Sequence, residues 1–206
     1  MRTIFLDRDG VINENRDDHV KAWAEFCFLP GSLTAIKALH EAGFKIFVVT
    51  NQAIIERGIA NIHTLEDIHD RMRERICQAG GYISDIRYCP HDTHTNCQCR
   101  KPKAGMLLDL AQRWNIDLSN SYLIGDAWTD IAAGLSVNST SILVRTGRGV
   151  EQLSLPQIHQ HPPTLIARDL LSAVYWVIER EQSIPSHEWP VFFDRHQGNL
   201  LTTSHS

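Results

Sequence analysis

At 206 residues, with 43% hydrophobic and 21% charged side chains, the chain has the make-up of one globular domain with one sizeable core. A net charge of −4 removes bulk basicity, so nucleic acid is not an expected partner and an anionic ligand needs a local basic patch. No apolar run approaches the ~20 residues of a membrane span, and Asp7 and Asp9 cut short the first apolar stretch, so neither a membrane partner nor a leader is expected and the cytoplasm is the expected location.

Ile4-Phe5-Leu6 runs into Asp7-Arg8-Asp9-Gly10, which reads as a buried strand stopping at a loop. Side chains alternate along a strand, so Asp7 and Asp9 can reach the same side at its tip. Two such carboxylates repel unless a cation or a shared proton relieves them. That pairing suits a divalent metal with a nucleophile and an acid/base. Pro30-Gly31-Ser32 reads as a turn and helix cap, with Leu33, Ile36, Leu39 and His40 at helical spacing and Gly43 as the stop. Phe44 to Thr50 is a second buried strand, ending at Asn51-Gln52. Thr64 is expected to cap a helix running to about Gln78, and Tyr82 to Tyr88 reads as a third strand. After a Cys/His loop come a helix from Gly105 to Trp114 and a fourth strand from Ser121 to Asp126. A short helix from Ile131 to Leu135 and a fifth strand from Ser141 to Val144 follow.

Strands alternating with helices predict an α/β fold: three layers, Rossmann-like and doubly wound, with a mostly parallel sheet. There is no internal repeat. Ligands of such sheets bind beyond the carboxyl ends of the strands at the switch point, and three strands deliver Asp7/Asp9, Thr50/Asn51 and Asp126 to that edge. Residues 1–150 are expected to carry the activity and 151–206 to extend the same domain, with a loop from Gln157 to Pro163 and an amphipathic helix from Asp169 to Glu181. Residues 182–206, with Trp189, Phe192 and Phe193, read as a docked extension, a dimer contact or a disordered tail, and the sequence leaves the three open. The 43 positions from Asp7 to Thr50, and the interval from Thr50 to Lys101, are filled by single helices, strands and loops, leaving no room for a separate cap domain. Loops 13–20, 52–58 and 89–101 are then left to select the substrate.

Three of the five cysteines fall between positions 89 and 99. Cys89-Pro90-His91 followed by Cys97-Gln98-Cys99 offers three thiolates and one nitrogen, enough to close a tetrahedral, structural Zn²⁺ site that pins its loop. His94 is the alternative nitrogen. Cys27 and Cys77 are expected to be simple core residues. The loop runs directly into Arg100-Lys101, so fixing it would fix those basic residues.

Asp7-Arg8-Asp9-Gly10, Val49-Thr50-Asn51-Gln52, Arg100-Lys101-Pro102-Lys103 and Gly125-Asp126 with Asp130, in that order, resemble the haloacid dehalogenase superfamily over roughly residues 3–150. The resemblance implies that Asp7 is the nucleophile, becoming an aspartyl-phosphate, and that Asp9 is the acid/base. It implies that Thr50 and a basic residue, here Lys101 with Lys103 as competitor, hold the phosphoryl oxygens. Mg²⁺ would lie on Asp7, Asp126 and the Asp9 backbone carbonyl. Asn51, Gln52 and Arg100 are the expected substrate contacts, and Asp130 is at most a supporting charge or a helix-start acid. With the Cys/His loop, the set is similar to the D-glycero-D-manno-heptose 1,7-bisphosphate 7-phosphatases. Histidinol-phosphate phosphatases, or another small-molecule phosphatase, are the rival enzymes, and a non-catalytic binding protein the rival of another class. The resemblance implies a small phosphorylated substrate, and a monomer is expected. The chain departs from that pattern in Asn15-Arg16-Asp17-Asp18-His19, in Ala53-Ile54-Ile55 and in Ala127 after Asp126. These changes bear on substrate choice and leave the nucleophile, acid/base and Mg²⁺ positions intact.

Overall fold

The computed structural model describes residues 2–182; the expectations for Trp189, Phe192 and Phe193 lie outside them. Six strands form one sheet in the order β3-β2-β1-β4-β5-β6. They are β1 (Thr3–Leu6), β2 (Lys45–Asn51), β3 (Asp85–Cys89), β4 (Ser121–Gly125), β5 (Thr140–Val144) and β6 (Leu165–Ala167). Every neighbouring pair is parallel. The order reverses between β1 and β4, so the crevice beyond their carboxyl ends is the switch point.

Among the described residues, seven α-helices complete the fold: α1 (Ser32–Glu41), α2 (Ile62–Gln78), α3 (Gly105–Trp114), α4 (Trp128–Leu135), α5 (Gly149–Gln152), α6 (Pro156–Gln160) and α7 (Leu170–Gln182). Strand alternation sorts the core into two layers. Ile4 and Leu6 of β1 join Ile46 and Val48 of β2 on one face, packed against Ile36 and Leu39 of α1, Met72 of α2 and Val174 of α7. Phe5, Phe47, Val49 and Leu123 face the other way onto Met106, Leu107 and Leu110 of α3. Helices on both faces of a parallel sheet make the three-layer, doubly wound architecture, and no separate cap unit occurs among the described residues.

Several local expectations are corrected. Asn61, not Thr64, caps α2: its side chain accepts the Thr64 N–H at 2.8 Å, so the helix starts before Thr64. Strand β3 begins at Asp85 rather than Tyr82, and α4 begins at Trp128 rather than Ile131. The region read as a loop from Gln157 contains part of α6, and β6 adds a sixth strand, three residues being too short to show a period. Cys27 and Cys77 are exposed rather than core residues. Cys77 follows the buried Ile76 on α2 and falls outside that helix's buried stripe.

Candidate active site

Asp7 and Asp9 follow β1, Thr50 and Asn51 end β2, and Asp126 follows β4, so three strand ends converge on one crevice. There they line a cavity of about 500 Å³ together with Gln52, Arg100 and Lys101. The loop after β5 adds Arg148, and the 13–20 loop adds Asn15 and His19.

Lys101 is the hub. Its ammonium lies 3.0 Å from Asp7 Oδ1 and 2.5 Å from Asp130 Oδ1, and donates to the Val49 carbonyl at 2.7 Å. Burial opposes its charge, but the Asp130 and Asp7 carboxylates outweigh burial and hold the ammonium well above its ordinary range. Asn51 fixes the backbone of this lysine from both sides, donating to its carbonyl and accepting its N–H, each at 3.1 Å. Lys103 is engaged elsewhere, donating to Asn96 Oδ1 and the Cys97 carbonyl. The geometry therefore brings Lys101, and not Lys103, to Asp7.

Burial lifts the Asp7 carboxyl to about 6, with Asp130 and Asp9 adding to the rise and Lys101 opposing it. Asp126 is pushed up to about 8 by burial and then by Asp7 and Asp130. Two glycines enclose that carboxylate. A Cβ on Gly10, at φ +82°, or on Gly147, at φ +57°, would collide with Asp126 Oδ2. The Arg148 N–H donates to the same oxygen at 2.8 Å. Oxygens of Asp7, Asp126 and Asp130 all lie within 4.8 Å of one another, a hard-donor cluster with one cation among three acids. Such a set has the chemistry to hold Mg²⁺. Asp130 also accepts the Ala127 N–H at 3.1 Å with its other oxygen, so it serves the start of α4 and Lys101 together.

Asp9 is held differently. Arg8 forks onto both its oxygens, with NH2 at 3.0 and 2.9 Å, while Asn13 and Gln52 each donate at 2.8 Å. Burial works against the anion, yet Arg8, Asn13 and Gln52 keep the carboxyl below its ordinary range. Gln52 also donates to Thr50 Oγ1 at 2.9 Å, tying the end of β2 to Asp9.

Cys89, His91, Cys97 and Cys99 form a second cluster, and His94 is not part of it. Sγ of Cys89 lies 3.6 Å from that of Cys97 and 3.2 Å from that of Cys99, and His91 Nδ1 is 3.3 Å from Cys99 Sγ. Zinc–sulfur bonds of about 2.3 Å in a tetrahedron require ligand–ligand edges of roughly 3.7 Å, so this set fits Zn²⁺ with little adjustment. Burial pushes the Cys89 thiol up, whereas the Cys97 thiol falls to about 7 because the Arg100 N–H and the neighbouring thiols outweigh burial. Arg100 NH1 donates to the His91 carbonyl at 2.9 Å, so the cluster and the basic pair are joined directly. Arg57 clamps Asp92 bidentately at 2.8 and 2.7 Å, and Glu56 accepts the Thr95 hydroxyl at 2.7 Å. Two of the loops expected to select substrate are thus braced against each other.

Sequence reasoning missed Arg148, Gly147 and His69. Gly147-Arg148-Gly149 follows β5 at the same sheet edge, and a glycine pair at a strand end was the available signal. His69 sits among Leu65, Ile68, Met72 and Ile76 on the buried stripe of α2, where a polar residue marks a buried partner.

A HAD-hydrolase-like family profile matches residues 98–173. A D-glycero-beta-D-manno-heptose-1,7-bisphosphate 7-phosphatase of Pseudomonas aeruginosa is 42% identical over 153 residues, 74% of this chain and 86% of the relative. The enzyme of the same name from Neisseria meningitidis serogroup A is 40% identical over 185 residues, 90% and 98% of the two chains. Among solved structures, a D,D-heptose 1,7-bisphosphate phosphatase from B. bronchiseptica, complexed with magnesium and phosphate, superposes with a TM-score of 0.81 at 37% identity. It covers 87% of this chain and 99% of that one.

Proposed function

The chain belongs to the D-glycero-beta-D-manno-heptose-1,7-bisphosphate 7-phosphatase family of HAD-like hydrolases, and from that premise we propose that it removes the 7-phosphate of the heptose bisphosphate through an aspartyl-phosphate on Asp7. The observation that carries the assignment is Lys101 at 3.0 Å from Asp7, beside Asp126 at the switch point of the sheet. A carboxylate repels a phosphate dianion, and a buried cation at that distance offsets the repulsion as the new bond forms.

Asp7 attacks the phosphorus, and the Asp9 side chain, which takes up a proton as the negative phosphate beside it offsets Arg8, gives that proton to the departing sugar oxygen. Asp9 then takes a proton from the water that hydrolyses the acyl-phosphate. Thr50 and Lys101 hold the phosphoryl oxygens. Arg100 reaches the more distant part of the substrate, while Asn51 and Gln52 support Lys101, Thr50 and Asp9 from beside the substrate. Asp7, Asp126 and the Asp9 backbone carbonyl would hold Mg²⁺. When bound, that ion supplies charge neutralisation and alignment of the phosphoryl group. Cys89, His91, Cys97 and Cys99 would hold Zn²⁺, which keeps the loop carrying Arg100 and Lys101 in place.

We read residues 2–182 as one catalytic domain, since β6 extends the sheet and α7 packs on its core. We further propose that the protein acts as a monomer. Five free cysteines agree with a reducing, cytoplasmic location, and no helix among the described residues is long and apolar enough to cross a membrane. Phosphate release from heptose 1,7-bisphosphate, histidinol phosphate and common sugar phosphates, with and without Mg²⁺, tests the proposal. It expects a Mg²⁺-dependent preference for the heptose bisphosphate; a preference for histidinol phosphate would replace that substrate.

A further inference from the structure

Arg8 stands between the two site aspartates in the sequence, yet its side chain is 1% exposed. Its Nε and NH2 donate to Asp9. The remaining nitrogen, NH1, lies 3.2 Å from Nε2 of His69 on α2. That histidine is buried as well, 61 positions further along the chain. A guanidinium carries only donors, so Nε2 must be the bare, accepting nitrogen, and the ring must be neutral with its hydrogen on Nδ1. Burial, and then the adjacent Arg8 charge, push the His69 pKa down to about 3, in keeping with that tautomer.

We infer that His69 is a positioning residue for the acid/base step: by accepting from Arg8 NH1 it fixes the guanidinium plane, and through that plane the orientation of the Asp9 carboxylate. The inference rests on the proposed phosphatase reading, in which Asp9 protonates the leaving oxygen. The guanidinium is rigid and planar, so pinning NH1 sets where Nε and NH2 point. The Asp9 carboxylate accepts from this fork and from the amides of Asn13 and Gln52, so its orientation is held by all three. An acceptorless residue at position 69 leaves NH1 buried without its partner, which loosens the fork and, with it, the carboxylate. A proton donor slightly out of line loses most of its effect, because acid catalysis requires hydrogen-bond reach to the reacting oxygen.

A leaving-group comparison separates this role from a structural one. A sugar phosphate expels an alkoxide and needs the proton from Asp9. The phenolate of 4-nitrophenyl phosphate is stable at neutral pH and needs none. The quantity kcat/KM extends only to departure of the leaving group, so hydrolysis of the shared intermediate drops out. For His69→Leu, the kcat/KM of heptose 1,7-bisphosphate relative to 4-nitrophenyl phosphate is expected to fall at least about tenfold, a fraction of the usual worth of a general acid. His69→Gln, whose side-chain oxygen can accept from NH1, is expected to keep the ratio within about threefold of wild type. His69→Met serves where His69→Leu does not fold. Equal losses on both substrates would overturn the inference and leave His69 a packing residue. A wild-type protein that hydrolyses neither substrate would overturn the phosphatase reading, and the inference with it.

Discussion

The Lys101 ammonium lies 2.5 Å from Asp130 Oδ1, and the same nitrogen reaches Asp7 at 3.0 Å. One buried cation is shared between Asp7, the proposed nucleophile, and Asp130 at the start of α4, so Asp130 helps set where Lys101 sits. Removing one partner of such a buried set leaves the rest uncompensated. Lys101→Met should therefore cost about 3–5 kcal/mol of stability and at least about 100-fold in turnover. Lys101→Met with Asp130→Asn should regain part of the stability and none of the activity. Denaturant unfolding of the two variants checks this; equal midpoints would contradict the shared-cation account.

The enclosure of Asp126 gives a second expectation. Gly10→Ala places a Cβ against the Asp126 carboxylate at φ +82°. Strain of this kind costs about 1–3 kcal/mol, and displacement of Asp126 should raise the Mg²⁺ concentration needed for half-maximal activity. A Mg²⁺ titration identical to wild type would show that Asp126 does not serve the metal.

The acid at the end of β4 also sets a pH dependence. Burial, then Asp7 and Asp130, raise Asp126 from 3.8 to about 8. A raised carboxyl favours the folded state while protonated, so its contribution is full below an unfolded pKa near 3.8 and is lost as pH climbs through about 8. In chelator-treated protein, wild type should lose thermal stability relative to Asp126→Asn, which stays neutral, between about pH 4 and pH 8. Melting curves of the pair across that range check the sign. A constant difference, or one opening the other way, would contradict the burial argument.

Much of this site was legible in the sequence because it sits at strand ends. Asp7, Thr50 and Asp126 each follow a short apolar run, and a parallel sheet brings such ends to one edge. Chain order also signalled the Cys/His cluster, whose four members fall within eleven positions. What remained hidden depends on side chains meeting across the fold. Nothing in the sequence pairs Arg8 with His69, or shows that the amides of Asn51 and Gln52 are bound to the protein's own groups. Asp130 looked like a helix-start acid and is one, yet its second oxygen meets a lysine 29 positions earlier, which no local pattern encodes. The same limit explains β6, whose three residues show a strand only once β5 lies beside them.

Stripping metal from the protein should lower the melting temperature and increase hydrogen exchange across residues 89–99, where three close sulfurs would lose their common partner. Activity at saturating Mg²⁺ should fall while its Mg²⁺ requirement persists. Metal analysis of protein purified without chelator should find one zinc per chain, and a zinc-free, fully stable protein would remove the reading.

Phosphorus NMR of the reaction shows whether Asp7 attacks the 7-phosphate of a heptose bisphosphate. With Mg²⁺ and heptose 1,7-bisphosphate, wild type should convert the C7 phosphate signal into inorganic phosphate and leave the C1 signal intact. Asp7→Asn, folded as wild type by circular dichroism, should leave both signals unchanged. Loss of the C1 phosphate, or turnover by Asp7→Asn, would contradict the account.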